Sequence, residues 1–442
     1  MARGIRGLGA RLSGEIGWVV FHKIAEQLLL FVALKLLTNL LAPAAYAEYN
    51  LVLTACLLLG HLLIMPMQQA YLRQHHASQD AGSLGDAGRT LLRWYGTVTL
   101  GVAVLAAGLS AVLSGPLGLE RWSILIGGLC FAADRWRTFA VQYQEVLRQR
   151  RRNAVENVGF LALDAAAVAL AAWVGANASA ALAAHATTAT LFGVLGCYRF
   201  VRSVVSAPPG PPAQLLSLVR SFGAPYGLML LLQWLQGFAD RFLVSAQLDL
   251  AQAGVYIAAY VVCGAPFMLA VAVLRALLIP VAYQRAKDVS DARQVWRADR
   301  LLLLGALLYG VLVVVATPMY LFFGGVLLRL LTNPEFALPN TTLALLALGR
   351  AAQCLGNYLE VFFAVHQRMT GSLAFRTLGS VLVIPICWFG IARAGLPGAA
   401  LGVFVASIAY ILSLTLAPGG LLGMVMSARR QARGAAARSE PS

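Results

Sequence analysis

Read for apolar and polar positions, the chain resolves into twelve apolar runs, at 16–40, 46–72, 90–113, 121–143, 155–175, 178–200, 221–246, 252–283, 299–318, 338–364, 372–391 and 396–416. Crossing the hydrocarbon of a bilayer takes about 20 apolar residues in a helix, and these runs have that length. Short segments rich in Arg, Gly or Pro separate them. The pattern predicts an all-α polytopic membrane protein.

Punctuation between the runs divides the chain. The segment Ser203-Val-Val-Ser-Ala-Pro-Pro-Gly-Pro-Pro-Ala-Gln is too rich in proline to continue a helix. We therefore expect a lobe of six helices over 1–202, a Pro-rich cytoplasmic linker over 203–220, a second six-helix lobe over 221–426 and a basic tail over 427–442. Leu41-Ala-Pro-Ala-Ala-Tyr-Ala-Glu-Tyr after the first run is matched by Leu248-Asp-Leu-Ala-Gln-Ala-Gly-Val-Tyr after the seventh. Leu147-Arg-Gln-Arg before the fifth likewise matches Val365-His-Gln-Arg before the eleventh. Such matches imply duplication in parallel orientation, a recurring transporter plan. Pro66, Pro225, Pro266, Pro280 and Pro385 lie inside or at the ends of runs and mark bends.

Composition agrees: 60% of the 442 residues are hydrophobic and 12% charged, and the mean hydropathy is +0.74, against about 25% charged in a soluble domain. The net charge of +16 would suggest nucleic acid in a soluble protein. Here the basic residues sit in the short connections, which is a topology signal. Arg3, Arg6, Arg11, Arg73, Arg89, Arg93, Arg148, Arg150, Arg151, Arg152, Arg199, Arg202 and Arg220 fall on one side, as do Arg285, Lys287, Arg293, Arg297, Arg300, Arg368, Arg429, Arg430, Arg433 and Arg438. The other side holds Arg121, Arg329 and Arg393. The expected location is a bacterial inner membrane with both termini cytoplasmic. Met1 to Leu12 is basic, but the run after it carries Glu15, Lys23 and Glu26 without an A-x-A site, so it reads as a retained helix. The cysteines Cys56, Cys130, Cys197, Cys263, Cys354 and Cys387 all lie in apolar runs without metal-ligand spacing and read as small core residues.

Three stretches carry a family resemblance: Leu40-Leu-Ala-Pro-Ala-Ala-Tyr-Ala-Glu-Tyr-Asn-Leu, Ala239-Asp-Arg-Phe-Leu-Val-Ser-Ala-Gln-Leu, and Ala253-Gly-Val-Tyr-Ile-Ala-Ala-Tyr followed by Pro266 and Leu278-Ile-Pro. With the helix count and lobe division, they resemble the polysaccharide transporter (Wzx-type) branch of the multidrug/oligosaccharidyl-lipid/polysaccharide (MOP) flippase superfamily. Ala47 stands where the commonest form of the Tyr-x-x-Tyr turn has Gly. The resemblance implies two pseudo-symmetric six-helix bundles of MOP/MATE type that flip a polyprenyl-diphosphate-linked oligosaccharide.

A charge at the bilayer centre costs about 2.5–3.5 kcal/mol on insertion scales, so retained charges face a polar cavity or a partner. Within the runs stand the cations Lys23, Lys35, Arg135, Arg137, Arg241, Arg275, Arg350 and Arg376, against the carboxylates Glu26, Asp134, Asp164, Asp240 and Glu360. Excess cation suits a lipid diphosphate, whose oxygens match the forked guanidinium. Arg350, mid-run with no route to either interface, is the first candidate for substrate contact, with Lys23, Arg135 and Arg241 beside it. Lys23 and Glu26 share a helix face with Gln27 and can instead pair; Lys23, Arg241 and Arg376 can also snorkel to an interface. Glu26, Asp164 and Glu360 are candidates for an ion-coupling carboxylate, for H+ or Na+, with pairing to a nearby Arg as the alternative.

The histidines stand alone apart from His75-His76 and suggest no metal site. No nucleotide, zinc-protease or serine-hydrolase motif occurs, so no cofactor and no enzyme activity are expected. The basic inner loops attract anionic membrane lipids at up to about 1 kcal/mol per charge, and topogenesis explains them without a specific ligand.

The expected function is a flippase carrying a lipid-linked oligosaccharide from the cytoplasmic to the periplasmic leaflet for O-antigen, capsule or exopolysaccharide synthesis. A cationic central cavity would open to each side in turn, with a polysaccharide polymerase and export machinery as downstream partners. The alternatives are a drug/cation antiporter of the same superfamily, whose substrate would want acidic walls, and a membrane polymerase or ligase. Such enzymes favour a large outer loop, and the longest expected here, Met319 to Ala337, is short.

Overall fold

The computed structural model describes residues 2–206, 215–289 and 291–437, and all regular elements among them are helical. The core of the expected linker, Pro208 to Pro212, and Arg438 lie outside them. Helix α1 covers Ala2–Leu40. Helix α2 spans Pro43–Asp80, α3 Leu84–Leu117, α4 Arg121–Val146, α5 Arg150–Gly175 and α6 Ala178–Ser206. Helix α7 spans Leu215–Gln247, α8 Leu250–Arg285, α9 Ala292–Leu331 and α10 Asn340–Val365. The stretch Met369–Leu416 breaks at Gly395, whose φ of 59° and ψ of −135° suit only a residue without Cβ. It therefore counts as α11 (369–394) and α12 (396–416), and α13, Leu421–Ala437, follows.

All twelve expected runs are helices, so the chain is an all-α polytopic membrane protein. Among the described residues, eight stretches are by themselves long and apolar enough to cross a bilayer. Helix α4, which carries Asp134, Arg135 and Arg137, and helix α10, which carries Arg350 and Glu360, are not among them. The outward face of α9 bears Val314 (72% exposed) and Phe322 (67%), exposure that only hydrocarbon solvent makes comfortable.

One expectation needs correction. The outer loop at Met319 to Ala337 is mostly helix, since α9 continues through Pro318 to Leu331 and only a short connection with a turn at Pro334–Phe336 remains. Proline inside a membrane helix is tolerated because its neighbours satisfy the freed carbonyl.

Contacts group the chain into two compact units whose boundaries run inside α1 and α7. The first, the N-unit, comprises Leu28–Trp234 and Asp249–Gly254. Because lipid offers no hydrophobic drive between helices, close approach of small residues and polar clamps must hold them. Gly254 lies against the Pro43 backbone with no space for a Cβ, Cys56 Sγ donates to the Gly127 carbonyl (3.2 Å), and Trp234 Nε1 donates to the Thr54 carbonyl (2.9 Å). Both α2 and α7 carry a π turn two residues before a proline, Gly60–Ile64 before Pro66 and Val219–Gly223 before Pro225. The two junctions meet, with Gly223 on the Pro66 backbone. At the start of α8, outside the spans, the backbone N–H of Gln252 and then its side-chain amide hold the Asp249 carboxyl below the usual carboxylate range.

The second, the C-unit, holds Met1–Gln27, Leu235–Leu248 and Val255–Ser442. Tyrosine hydroxyls clamp its helices by donating to carbonyls of neighbours: Tyr309 to Ala351 (2.9 Å), Tyr320 to Val262 (2.9 Å) and Tyr358 to Leu302 (3.0 Å). Helices α11 and α12 form a tight hairpin in which Gly390 and Gly398 meet backbone to backbone and Gly402 lies on Cys387.

Candidate functional site

In the C-unit, α7, α8 and α10 bring Arg241, Tyr260 and Arg350 together. Arg350 Nη1 donates to the Tyr260 hydroxyl (2.5 Å) and to the Gln353 side-chain carbonyl, while the Tyr260 hydroxyl donates to the Gly237 carbonyl (2.7 Å). The Tyr260 ring lies 4.1 Å from the Arg350 guanidinium and 4.5 Å from that of Arg241, so two cations share one aromatic ring. Gly264 makes room, since a Cβ there would stand 2.9 Å from Arg350 Nε. Asp240, 1% exposed, accepts from the Tyr256 hydroxyl (2.6 Å).

These groups are not used up. Among the described residues, neither Arg241 nor Arg350 is in a salt bridge. The Nε atoms of both, Asp240 Oδ1 and both amide atoms of Gln236 are buried without a hydrogen-bond partner. Buried polar groups of a finished core are almost all satisfied.

Other cations are already committed. Lys23 Nζ lies 2.7 Å from Glu26 Oε2, with His22 at 3.9 Å. Arg376 grips Glu360 through two nitrogens (2.7 and 2.5 Å) and also bonds Asn357 (2.7 Å), and Glu360 accepts from the Tyr410 hydroxyl (2.6 Å) as well.

In the N-unit, Arg135 is 5% exposed, makes no salt bridge among the described residues and packs on Gly60 in the π turn of α2. Two positions along α4, Arg137 lies 3.5 Å from Asp134, bonds Asn157 (3.2 Å) and covers the Phe160 ring at 4.0 Å. Asp164 is joined to His185 (3.0 Å) and accepts from the Thr188 hydroxyl. His185 reaches Asp134 with its other nitrogen (3.1 Å).

Of the expected cations, Arg350 and Arg241 are thus neighbours, while Arg135 belongs to the other unit and Lys23 to an ion pair. Sequence reasoning passed over His185, Tyr260 and Gln353. An aromatic in a membrane helix attracts no notice, and the partners of His185 lie 21 and 51 residues away.

No family model matches the chain, and no curated protein matches its sequence. Solved structures match over nearly its whole length. An inward-facing multidrug resistance MATE family transporter of the MOP superfamily aligns over 94% of this chain and 96% of its own, with 14% identity and a TM-score of 0.68. The fold is that of the MOP transporters. An outward-facing MATE structure covers 97% of each chain at 12% identity and a TM-score of 0.62. A MOP transporter from Pyrococcus furiosus, described by a reversed polarity of its binding pocket that suggests a different function, covers 96% of this chain and 95% of its own, at 10% identity and a TM-score of 0.62.

Proposed function

We propose that this chain is a flippase for a polyprenyl-diphosphate-linked oligosaccharide, working by alternating access in a bacterial inner membrane. The observation that carries the reading is the pair Arg241 and Arg350, buried, in no salt bridge among the described residues, with an Nε donor free on each and one carboxylate, Asp240, beside two cations. Two guanidiniums offer forked donors to phosphate oxygens, and the low dielectric around them makes each charge-assisted bond count. In the N-unit Arg135 likewise makes no salt bridge among the described residues, and in the C-unit Lys23 is held by Glu26, from which an anion could draw it. Asp164, Glu26 and Glu360 are the carboxylates offered to a coupling ion.

The rival is export of cationic drugs, a reading prompted by the multidrug resistance that the descriptions of the MATE structures name. A cation would meet Arg241 and Arg350 as repulsion, and the Pyrococcus furiosus transporter, whose description reports reversed pocket polarity, lends precedent for a different cargo on this fold. The test is reconstitution in proteoliposomes with two probes, a short polyprenyl diphosphate carrying a lectin-readable sugar and the cation ethidium. Movement of the sugar lipid to the lectin side, lost in Arg350→Ala, supports the flippase. Ethidium transport without it would overturn the proposal and install the antiporter.

A further inference from the structure

We infer that the arginine-lined cavity at the connection of α4 to α5 binds the headgroup of an anionic phospholipid from the leaflet on that side, with an acyl chain laid along α5. The site draws neither on Arg241 and Arg350 nor on the flippase reading.

Arg148, Arg150, Arg151, Arg152, Val155 and Glu156 surround an open cavity of about 540 Å³ in the N-unit. The carboxylate in its wall is already taken, because Glu156 accepts from Arg152 Nε through one oxygen and from the Gln144 side-chain amide through the other. Arg148 and Arg150 are in no salt bridge among the described residues. The cavity is therefore net cationic, and its guanidinium forks match phosphate oxygens.

The same backbone turn recurs where α10 passes to α11, and there it carries little charge. The N–H groups of Leu147, Arg148 and Gln149 donate to the carbonyls of Tyr143, Glu145 and Gln144 at 3.0, 3.0 and 2.9 Å. Those of His366, Gln367 and Arg368 donate to Phe362, Ala364 and Phe363 at 2.9, 3.1 and 2.8 Å. Arg148 and Gln367 share the left-handed conformation, with φ of 56° and 57°. The turn thus forms with Gln at that position as well as with Arg. Residues 147–153 nevertheless hold four arginines and residues 366–372 one, with Met369-Thr-Gly in the place of Arg150-Arg-Arg. Both connections are expected on the cytoplasmic side, so the need to stay inside bears on them alike. Neither the turn nor the side of the membrane asks for the extra arginines of the first.

A phospholipid suits the place better than a free anion. Arg151 heads a face of α5 on which Val155, Gly159, Ala162 and Ala166 follow at helical spacing, all of them exposed and none larger than Val. A chain lying on that face stays in hydrocarbon while its phosphate sits among the arginines, the arrangement by which basic groups at a membrane surface hold anionic headgroups. Several guanidiniums around one cavity favour a headgroup with two phosphates, as in diphosphatidylglycerol, over one with a single phosphate.

Native mass spectrometry of the full-length protein tests the site, with diphosphatidylglycerol as the probe and phosphatidylcholine as the neutral control. Grafting in the residues of the second turn, Arg148→Gln, Arg150→Met and Arg151→Thr together, leaves the Arg152–Glu156 pair in place. It should weaken binding of the probe by roughly tenfold or more and leave phosphatidylcholine binding unchanged. Arg148→Lys, Arg150→Lys and Arg151→Lys together keep the charge and the topology but lose the forks, so this variant should bind the probe several-fold more weakly than the wild type. It decides the matter if the graft fails to insert. Wild-type affinity in the Lys variant would mean attraction by charge alone and would overturn the inference, as would wild-type affinity in the graft. Two competitors fix the source of the phosphate. Displacement of the probe by an equal concentration of inorganic diphosphate would assign the cavity to a free anion, and displacement by a polyprenyl diphosphate would assign it to the proposed cargo; either result removes the phospholipid.

Discussion

Arg350 shows how one residue acquires a role from its neighbours. Its charge cannot reach an interface from mid-helix, Gly264 gives it space, Tyr260 orients it, and among the described residues it makes no salt bridge, with Asp240 the buried carboxylate of its cluster. Replacing it with Ala should abolish flipping in a complementation assay at matched protein level, while Lys should retain part, because charge survives and the fork does not. Arg150→Ala should be nearly silent, since Arg148, Arg151 and Arg152 preserve the local charge. Equal activity of the Arg350 and Arg150 variants would mean that the buried arginine is structural. Tyr260→Phe keeps the ring between the cations but removes the hydroxyl that ties Arg350 to Gly237. A net hydrogen bond is worth about 1 kcal/mol, so probe affinity measured by microscale thermophoresis should fall several-fold rather than vanish. The sequence made Arg350 legible because an arginine in an apolar run is costly wherever it is found. It could not single out Tyr260 or His185, whose roles come from which groups three or more helices bring beside them.

At the scale of elements, the twelve helices were readable because each hydrocarbon crossing needs its own apolar run. Their ends were less so. Pro318 reads as a stop yet α9 continues past it, and the π turns before Pro66 and Pro225 leave no trace in hydropathy. Helix pairing was hidden too, because it rests on where glycines on two helices meet. The α11–α12 hairpin is the clearest case, with Gly398 on the Gly390 backbone. Gly398→Leu should force the pair apart, costing about 1–3 kcal/mol by overpacking and lowering the apparent melting temperature in fluorescence-detected size-exclusion. Gly423→Leu, where a Cβ meets nothing within 4 Å, should leave it unchanged. Equal melting of the two variants would show that the hairpin contact does not hold α11 to α12.

For the whole molecule, we expect twelve spans and the distribution of arginine to set the orientation, with the even number returning the second terminus to the side of the first. The basic residues of one set of connections, from Arg73 and Arg148 to Arg285 and Arg297, are those we expect the cytoplasmic side to retain, since short loops rich in Lys and Arg resist translocation. Phosphatase and fluorescent-protein fusions should therefore report residues near 82, 148, 205 and 288 on the cytoplasmic side, and residues near 118, 176 and 333 on the other. The tetrad Arg148, Arg150, Arg151 and Arg152 offers the sharper test, because it is the densest block of charge between two spans. Changing all four to Gln should leave the helices intact but weaken the bias, giving a mixed signal at residue 148 while residue 288, still flanked by Arg285, Lys287, Arg293 and Arg297, stays inside. A uniform outside signal at 148, 205 and 288 in the unaltered chain would invert the topology. The lipid-linked sugar would then meet Arg241 and Arg350 from the opposite leaflet, and the direction of transport proposed above would have to be reversed.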